Sequence, residues 1–161
     1  MHDKRRFQCQ IDFCSQISRI DYMNHSECIK KLIEVGTQLG FHATGRGYGK
    51  MYHMGNPDCV WYYKGKGAKE LYKIAKGDKY KYLPFIAFEI PFSEKEKALR
   101  GSLVTLQLTN ASASVIILLG ESVKYKSYMK KLVGRYSFTR FRIWTEKDVD
   151  ELYNKVIKNK S

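Results

Sequence analysis

Apolar residues form the strongest local pattern in this chain, and their spacing predicts where its strands lie. Nearly continuous apolar runs at 83–92 and 114–119 predict central strands, because strands covered on both faces lack polar alternation. Alternation of apolar and polar residues predicts further strands at 7–13 and 138–144. A turn signal at 55–57, Gly-Asn-Pro, has strand material on both sides.

Helical spacing of apolar residues separates these strands. Asn24 or Ser26 is the predicted cap of the first helix, and Gly40 is its predicted end. Ser93 and Glu96 fit the capping box that opens the second helix. The predicted helices span 26–39, 93–110, 123–133 and 146–158, the last capped by Thr145, with a short helix near 70–76.

This order of elements predicts the fold class. Strands and helices alternate in the second half, which predicts an α/β fold with a mixed central β-sheet flanked by helices. A length of 161 residues fits one domain, 1–161. The apolar runs are far shorter than the ~20 residues that span a bilayer, and no signal peptide is evident, so we expect a cytoplasmic protein.

Charge then narrows the class of partner. The chain has 29 Lys+Arg against 16 Asp+Glu, a net charge of +13, which favours a polyanion and nucleic acid first. Much of the charge lies in two segments, 64–81 and 124–142, and tyrosines accompany the first. A solvated lysine-rich surface is the alternative, but it predicts interspersed acids, which 124–142 lacks.

Two acids stand where acids are not expected. Asp58 follows Pro57 and leads into a predicted strand, and Glu89 lies inside the most apolar strand. Buried carboxylates are costly unless they are protonated or bind a cation. Together they predict an oxygen-rich site for Mg²⁺ or Mn²⁺. The alternatives are that Asp58 is a turn residue and that Glu89 faces solvent.

This pattern resembles the PD-(D/E)XK nuclease superfamily, which includes restriction endonucleases and archaeal Holliday-junction resolvases. Pro57-Asp58 looks like the PD motif at a strand start, and Glu89 looks like the second acid. The predicted elements at about 26–119 match the family's αβββαβ core, followed here by an α-β-α extension at 123–159. Glu27 sits like the first-helix glutamate of resolvase-type members, and Glu34 is the competing choice.

The resemblance implies a Mg²⁺-dependent deoxyribonuclease. Asp58 and Glu89 would bind the metal together with the carbonyl of Ile90, and Glu27 would support the site. The chain departs from the family at Pro91, where the family has lysine. Because proline has no charge to orient water or steady a phosphate, a non-catalytic DNA- or RNA-binding protein on the same fold is the alternative.

The missing lysine has candidate replacements in the following helix. Lys97, or less favourably Lys95, would position the attacking water, and Arg100 would touch a phosphate. By analogy we expect a homodimer, because two sites related by a two-fold axis suit the cutting of two strands. The predicted DNA-binding residues are Lys95, Arg100, Lys130, Lys131, Arg135, Arg140 and Arg142.

A zinc site is the remaining alternative. Cys9, Cys14, His25 and Cys28 are four soft ligands, but their spacing matches no common zinc finger. Two of the cysteines lie in an alternating apolar stretch, where a buried thiol is ordinary. We therefore favour reduced thiols over structural zinc, and ordinary surface positions for the dispersed histidines.

Overall fold

The computed structural model describes residues 23–46, 55–65, 67, 70, 82–91, 95–135 and 140–158. The strand predicted at 7–13, most of the basic segment 64–81 and the short helix near 70–76 lie outside this part. The described elements, in chain order, are α1 (His25–Gln38), β1 (His42–Gly45), β2 (Cys59–Tyr62), β3 (Pro84–Glu89), α2 (Glu96–Thr109), β4 (Ala113–Leu118), a 3₁₀ helix (Gly120–Tyr125), α3 (Lys126–Arg135), β5 (Phe141–Thr145) and α4 (Glu146–Val156).

The strands form one five-stranded sheet in the order β1-β2-β3-β4-β5. Strand β2 is antiparallel to both β1 and β3, whereas β3, β4 and β5 run parallel to one another. Parallel neighbours need long crossovers, and helices occupy both of these connections. The prediction of an α/β fold with a mixed sheet is therefore confirmed, and β5 of the C-terminal extension belongs to the same sheet.

Helices cover both faces of the sheet. On one face, Ile29 and Leu32 of α1 and Val149 of α4 pack against Phe88. On the other, α2 and α3 bury a second apolar cluster against Val60, Ala87 and Ile116. Residues of β3 and β4 belong to both clusters, so these strands are central, as their apolar sequences predict.

The helix ends agree in part with the predicted caps. Asn24 caps α1, because its side-chain oxygen accepts the Glu27 N–H at 2.8 Å. Gly40 follows α1 with a φ of 88°, a conformation that favours glycine. At α4, the N–H and hydroxyl of Thr145 both donate to Asp148 Oδ2, at 2.7 and 2.8 Å.

Two predicted helix starts were wrong. Lys95 has extended backbone angles, φ −68° and ψ 134°, so α2 begins at Glu96 and not at Ser93, which lies outside the described residues. The single helix predicted at 123–133 is a 3₁₀ helix followed by α3, and it starts earlier, at Gly120, where φ is 52°. None of the described helices combines the length and apolar character that a membrane crossing needs.

Candidate active site

The two unexpected acids meet at one end of the sheet. Because β2 is antiparallel to β3, the residue before β2 lies beside the last residue of β3. The N–H of Asp58 donates to Glu89 Oε2 at 3.1 Å, and the N–H of Ile90 donates to Asp58 Oδ2 at 2.8 Å. Asp58 is only 1% exposed and Glu89 8%. These backbone bonds fix both carboxylates in a buried pair.

A packed turn sets the position of Asp58. Gly55 and Asn56 have positive φ angles of 102° and 49°, which reverse the chain before β2. A Cβ built on Gly55 would lie 2.6 Å from the carbonyl oxygen of Thr105 in α2, so glycine permits this close approach. The turn that the sequence predicts from Gly-Asn-Pro therefore holds the acid against the sheet.

Burial of the pair favours a cation. Removal from water, and then the charge of Asp58, raise the pKa of Glu89 to about 8, against opposing contributions from the Asp58 N–H, Arg46 and Ser102. Two adjacent buried negative charges are unfavourable in this environment. A proton on Glu89 or a bound divalent cation would relieve the repulsion.

Two positively charged or ionisable side chains flank Asp58, one at each oxygen. Nε2 of His25, in the first turn of α1, lies 3.4 Å from Oδ2. Nη1 of Arg46, directly after β1, lies 3.8 Å from Oδ1. Oδ1 itself is buried and has no hydrogen-bond partner among the described residues.

Sequence reasoning missed both flanking residues. From sequence, His25 is a candidate zinc ligand or a surface histidine, and Arg46 has no assigned role. Gly45 pairs with Cys59, so Arg46, which follows β1, lies opposite Asp58, which precedes β2. The Arg46 N–H donates to the Asp58 carbonyl at 2.9 Å. This register, like the packing of α1 that places His25, is not encoded in a local sequence pattern.

A cavity of about 380 Å³ adjoins the acid pair. Ile90 and His25 connect the cavity to the acid pair, because each contacts Asp58 and also lines the cavity. Most of the wall is apolar, which is common in ligand sites with a few convergent polar groups. The lining residues are Met23, Asn24, His25, Ile90, Pro91, Leu119 and Gly120.

The residues of the pair suit a hard divalent cation. Carboxylate oxygens are the ligands that Mg²⁺ prefers, and Mg²⁺ usually retains several waters, so one or two carboxylates are enough to bind it. The described residues contain no group of three or more His, Cys, Asp or Glu side chains arranged to hold a metal. A fit therefore depends on Asp58 and Glu89, with the buried Asp58 Oδ1 as the unsatisfied acceptor.

The two candidate glutamates of α1 make contacts toward α4. Glu27 is exposed and pairs with Lys31 at 2.8 Å, and Lys31 in turn pairs with Asp150 at 2.8 Å. Glu34 accepts a hydrogen bond from the Tyr153 hydroxyl at 2.7 Å. The α1 side chain that approaches Asp58 is His25. The supporting role of Glu27 stays a prediction, because the ion pair of Glu27 is with Lys31.

The candidate cations at the start of α2 are exposed. Lys95 precedes the helix and Lys97 lies in its first turn. Arg100 donates to the Tyr128 hydroxyl at 3.1 Å and to Glu96 at 3.2 Å, so its guanidinium is held by α2 and α3. These residues keep their predicted roles as proposals.

The second basic segment lies mainly on α3 and around β5. Lys130, Lys131 and Arg135 of α3 are exposed. Arg140 lies inside the predicted strand at 138–144, but it precedes β5 in the structure. Its guanidinium donates to the Asn110 side chain and the Ala111 carbonyl. Arg142 is exposed in β5 and also donates to a neighbouring backbone carbonyl.

The cysteines in the described part are core residues. Cys28 and Cys59 are fully buried and are not in a disulfide. Burial raises the pKa of the Cys28 thiol to about 12, which disfavours the thiolate that a zinc ligand needs. Cys9 and Cys14 lie outside the described residues.

Fold and site together define an α/β protein with a buried carboxylate pair at one end of a mixed sheet. Comparisons of the chain with protein-family models, with curated proteins and with solved structures find no match. Because a fold of this kind hosts many activities, the function is inferred from the chemistry of the site.

Proposed function

We propose that this chain is a metal-dependent endonuclease of the PD-(D/E)XK type that hydrolyses phosphodiester bonds of DNA. One observation carries the proposal: Asp58 and Glu89 are buried and held together by backbone hydrogen bonds, while Asp58 Oδ1 lacks a hydrogen-bond partner among the described residues. Burying such an oxygen costs free energy, which Mg²⁺ or Mn²⁺ would offset. The net charge of +13 suits a polyanionic substrate.

The order of elements supports the same assignment. The run α1-β1-β2-β3-α2-β4 follows the αβββαβ order that the resemblance implies. Asp58 precedes the second strand and Glu89 ends the third, where the PD and (D/E) acids are expected. The antiparallel pairing of β2 with β3 brings these two positions together.

In the proposed reaction the chain positions the ion and the DNA. Asp58, Glu89 and the carbonyl of Ile90 would hold the metal, which supplies Lewis acidity toward water and the phosphodiester. The N–H groups of Asp58 and Ile90 keep the carboxylates fixed. Lys97 remains the candidate for orienting the attacking water, and Glu27 the candidate for supporting the site.

The exposed cations are the proposed DNA contacts. Lysines and arginines that meet phosphates release counterions, which strengthens binding without reading sequence. A homodimer would present two such sites to the two strands of a duplex or to a DNA junction. The proposed contacts are Lys95, Arg100, Lys130, Lys131, Arg135, Arg140 and Arg142.

A non-catalytic DNA- or RNA-binding protein is the second candidate, and Pro91 favours it. Pro91 lines the cavity next to Ile90 and brings no charge to the place where the family has lysine. In such a protein the bonds between Asp58 and Glu89 would be purely structural. The two candidates differ in whether a metal ion and strand cleavage depend on these acids.

The deciding experiment is cleavage of plasmid and branched DNA in Mg²⁺ or Mn²⁺. Asp58→Asn and Glu89→Gln retain an oxygen acceptor for the backbone N–H groups while removing the charge, and Glu151→Gln removes an exposed charge from α4 as the control. We expect the parent and the control to cut and the other two to lose roughly 100-fold in rate, about 2.7 kcal/mol of barrier.

Metal binding is measured separately from cleavage. Mn²⁺ should raise the unfolding temperature of the parent and of Glu151→Gln, since a ligand that binds only the folded state stabilises it. The Asp58→Asn variant should show little of this shift. DNA binding by the parent without metal-dependent cleavage would favour the second candidate. Cleavage at the parental rate by Asp58→Asn would contradict the assignment of Asp58 to the catalytic metal site.

A further inference from the structure

Arg46 brings a positive charge from the surface to the buried acid pair. Its backbone N–H donates to the Asp58 carbonyl at 2.9 Å, and its Nη2 donates to the carbonyl oxygen of Asn56. Its Nη1 lies 3.8 Å from Asp58 Oδ1. The Arg46 side chain is 46% exposed, whereas that of Asp58 is 1% exposed. The guanidinium therefore lies between the acids and solvent.

We propose that Arg46 is the phosphate-binding group of this site, and that its guanidinium contacts a non-bridging oxygen of the scissile phosphate. This inference rests on the endonuclease proposed above. The separation of 3.8 Å from Oδ1 is longer than a hydrogen bond, so Asp58 attracts the guanidinium without saturating its donors. A guanidinium is planar and can give a phosphate two parallel hydrogen bonds.

The net charge of the metal-loaded site depends on Arg46. Two ionised carboxylates and one divalent cation sum to zero, so they offer a phosphodiester anion no net attraction. The charge of Arg46 makes the sum positive at the mouth of the site, where the anion would arrive. Pro91 cannot supply that charge. Arg46 can, because it lies close to Asp58 and its charge also stabilises the ionised form of Glu89.

The cations at the start of α2 are the other candidates for contacting the phosphate. Arg100 is held by Tyr128 and Glu96, and Lys97 lies on an exposed helix turn. The backbone of Arg46, in contrast, is bonded directly to Asp58. This bond keeps the distance between the guanidinium and the acid pair short while the side chain stays accessible to DNA.

A purely structural role for Arg46 makes a different prediction. If Arg46 only held Asp58 in place, its removal would weaken metal binding and cleavage together. If it binds phosphate, its removal slows cleavage but leaves Mn²⁺ binding unchanged or tighter, because a nearby positive charge is gone. Metal affinity measured without DNA separates these roles.

The test compares the parent with Arg46→Gln, Arg46→Lys and the control Lys147→Gln, which removes one exposed positive charge from α4. Single-turnover cleavage should fall about 10- to 100-fold in Arg46→Gln, the range expected for losing a charge-assisted hydrogen bond, and recover in part in Arg46→Lys. Lys147→Gln should cleave like the parent. Mn²⁺ titration followed by electron paramagnetic resonance should show Arg46→Gln binding at least as tightly as the parent.

Each other outcome decides against the inference in a recognisable way. Cleavage at the parental rate by Arg46→Gln, while Asp58→Asn is inactive, overturns the role of Arg46 and leaves the endonuclease standing. Joint loss of Mn²⁺ binding and cleavage makes Arg46 a structural support. Absence of cleavage by the parent removes the proposed function and this inference together. If Arg46→Gln fails to fold, Arg46→Lys decides, since full parental activity there contradicts bidentate phosphate binding.

Discussion

The backbone N–H of Asp58 donates to Oε2 of Glu89 over 3.1 Å, so one acid of the site is the hydrogen-bond donor of the other. The bond joins the start of β2 to the end of β3 and favours the ionised form of Glu89. Burial and the Asp58 charge outweigh it and raise the pKa of Glu89 to about 8. The charge of Asp58 therefore opposes the ionisation of Glu89, while its N–H favours it.

The pKa of Glu89 predicts how stability depends on pH when metal is removed by a chelator. The group has an ordinary pKa of 4.5 and a folded-state pKa of about 8, so the folded chain binds this proton more tightly. The stabilisation from this proton is complete below the ordinary pKa and is lost as pH rises toward about 8, with a slope on the order of 1 kcal/mol per pH unit. Urea unfolding across this pH range measures the loss.

Two changes should flatten this pH dependence. Glu89→Gln removes the titrating group, and saturating Mg²⁺ or Mn²⁺ favours the ionised carboxylate over the whole range. Glu151→Gln, which removes an exposed acid, should keep the parental slope. An unchanged slope in Glu89→Gln would mean that another group controls the pH dependence.

The site was predictable from sequence only where a residue conflicted with its surroundings. Asp58 and Glu89 stood out because acids are rare in apolar strands. His25 and Arg46 looked ordinary, since histidine in a first helical turn and arginine in a hairpin have many uses. What brings them to Asp58 is the packing of α1 on the sheet and the register of β1 with β2. Those are tertiary facts that no local pattern encodes.

Gly36 of α1 packs directly against the indole ring of Trp61 in β2. A Cβ built there would lie 2.5 Å from Nε1 of Trp61, and the indole is fixed because it donates to the Leu32 carbonyl at 2.9 Å. We expect Gly36→Ala to lower the free energy of unfolding by about 1–3 kcal/mol despite the higher helix propensity of alanine. Denaturant unfolding measures the change.

The matched control is Gly101→Ala in α2. Nothing lies within 4 Å of a Cβ built at that position. The replacement should therefore raise the free energy of unfolding by about 0.5–1 kcal/mol, the ordinary gain in a helix interior. If both alanine variants were stabilised, the close packing of α1 on Trp61 would be contradicted.

The fold was more predictable than the site because long apolar runs record burial directly. The runs at 83–92 and 114–119 correspond to β3 and β4, the strands shared by both clusters of the core. Helix starts were less predictable. Ser93 and Glu96 have the spacing of a capping box, yet the extended backbone at Lys95 starts α2 later. A cap is worth about 1 kcal/mol, so a capping-box pattern alone does not decide where a helix begins.

The thiols of Cys28 and Cys59 should be unreactive in the folded chain. Both are fully buried, and burial raises the pKa of each, that of Cys28 to about 12. In a Cys9→Ser, Cys14→Ser chain we expect almost no reaction with a thiol reagent near neutral pH until denaturant is added. Fast reaction of the folded chain, or stoichiometric zinc in metal analysis of the parent, would count against this arrangement.

The basic surface of α3 should control how DNA binding depends on salt. Lys130, Lys131 and Arg135 are exposed on this helix. Replacing all three with glutamine should reduce the slope of log K against log salt concentration by about 2–3, because each phosphate contact releases close to one counterion. Binding is measured with Ca²⁺ in place of Mg²⁺ over a range of salt concentrations.

The control removes the same number of charges from the opposite face of the sheet. Lys147 and Lys155 belong to α4, Lys158 follows it, and α4 packs with α1 away from α3. The triple glutamine variant at these positions carries the same net charge as the α3 variant. If net charge alone set the affinity, both variants would lose the same slope. A smaller loss in the α4 variant is expected if DNA lies along α3, and an equal loss would remove α3 as the DNA-binding surface.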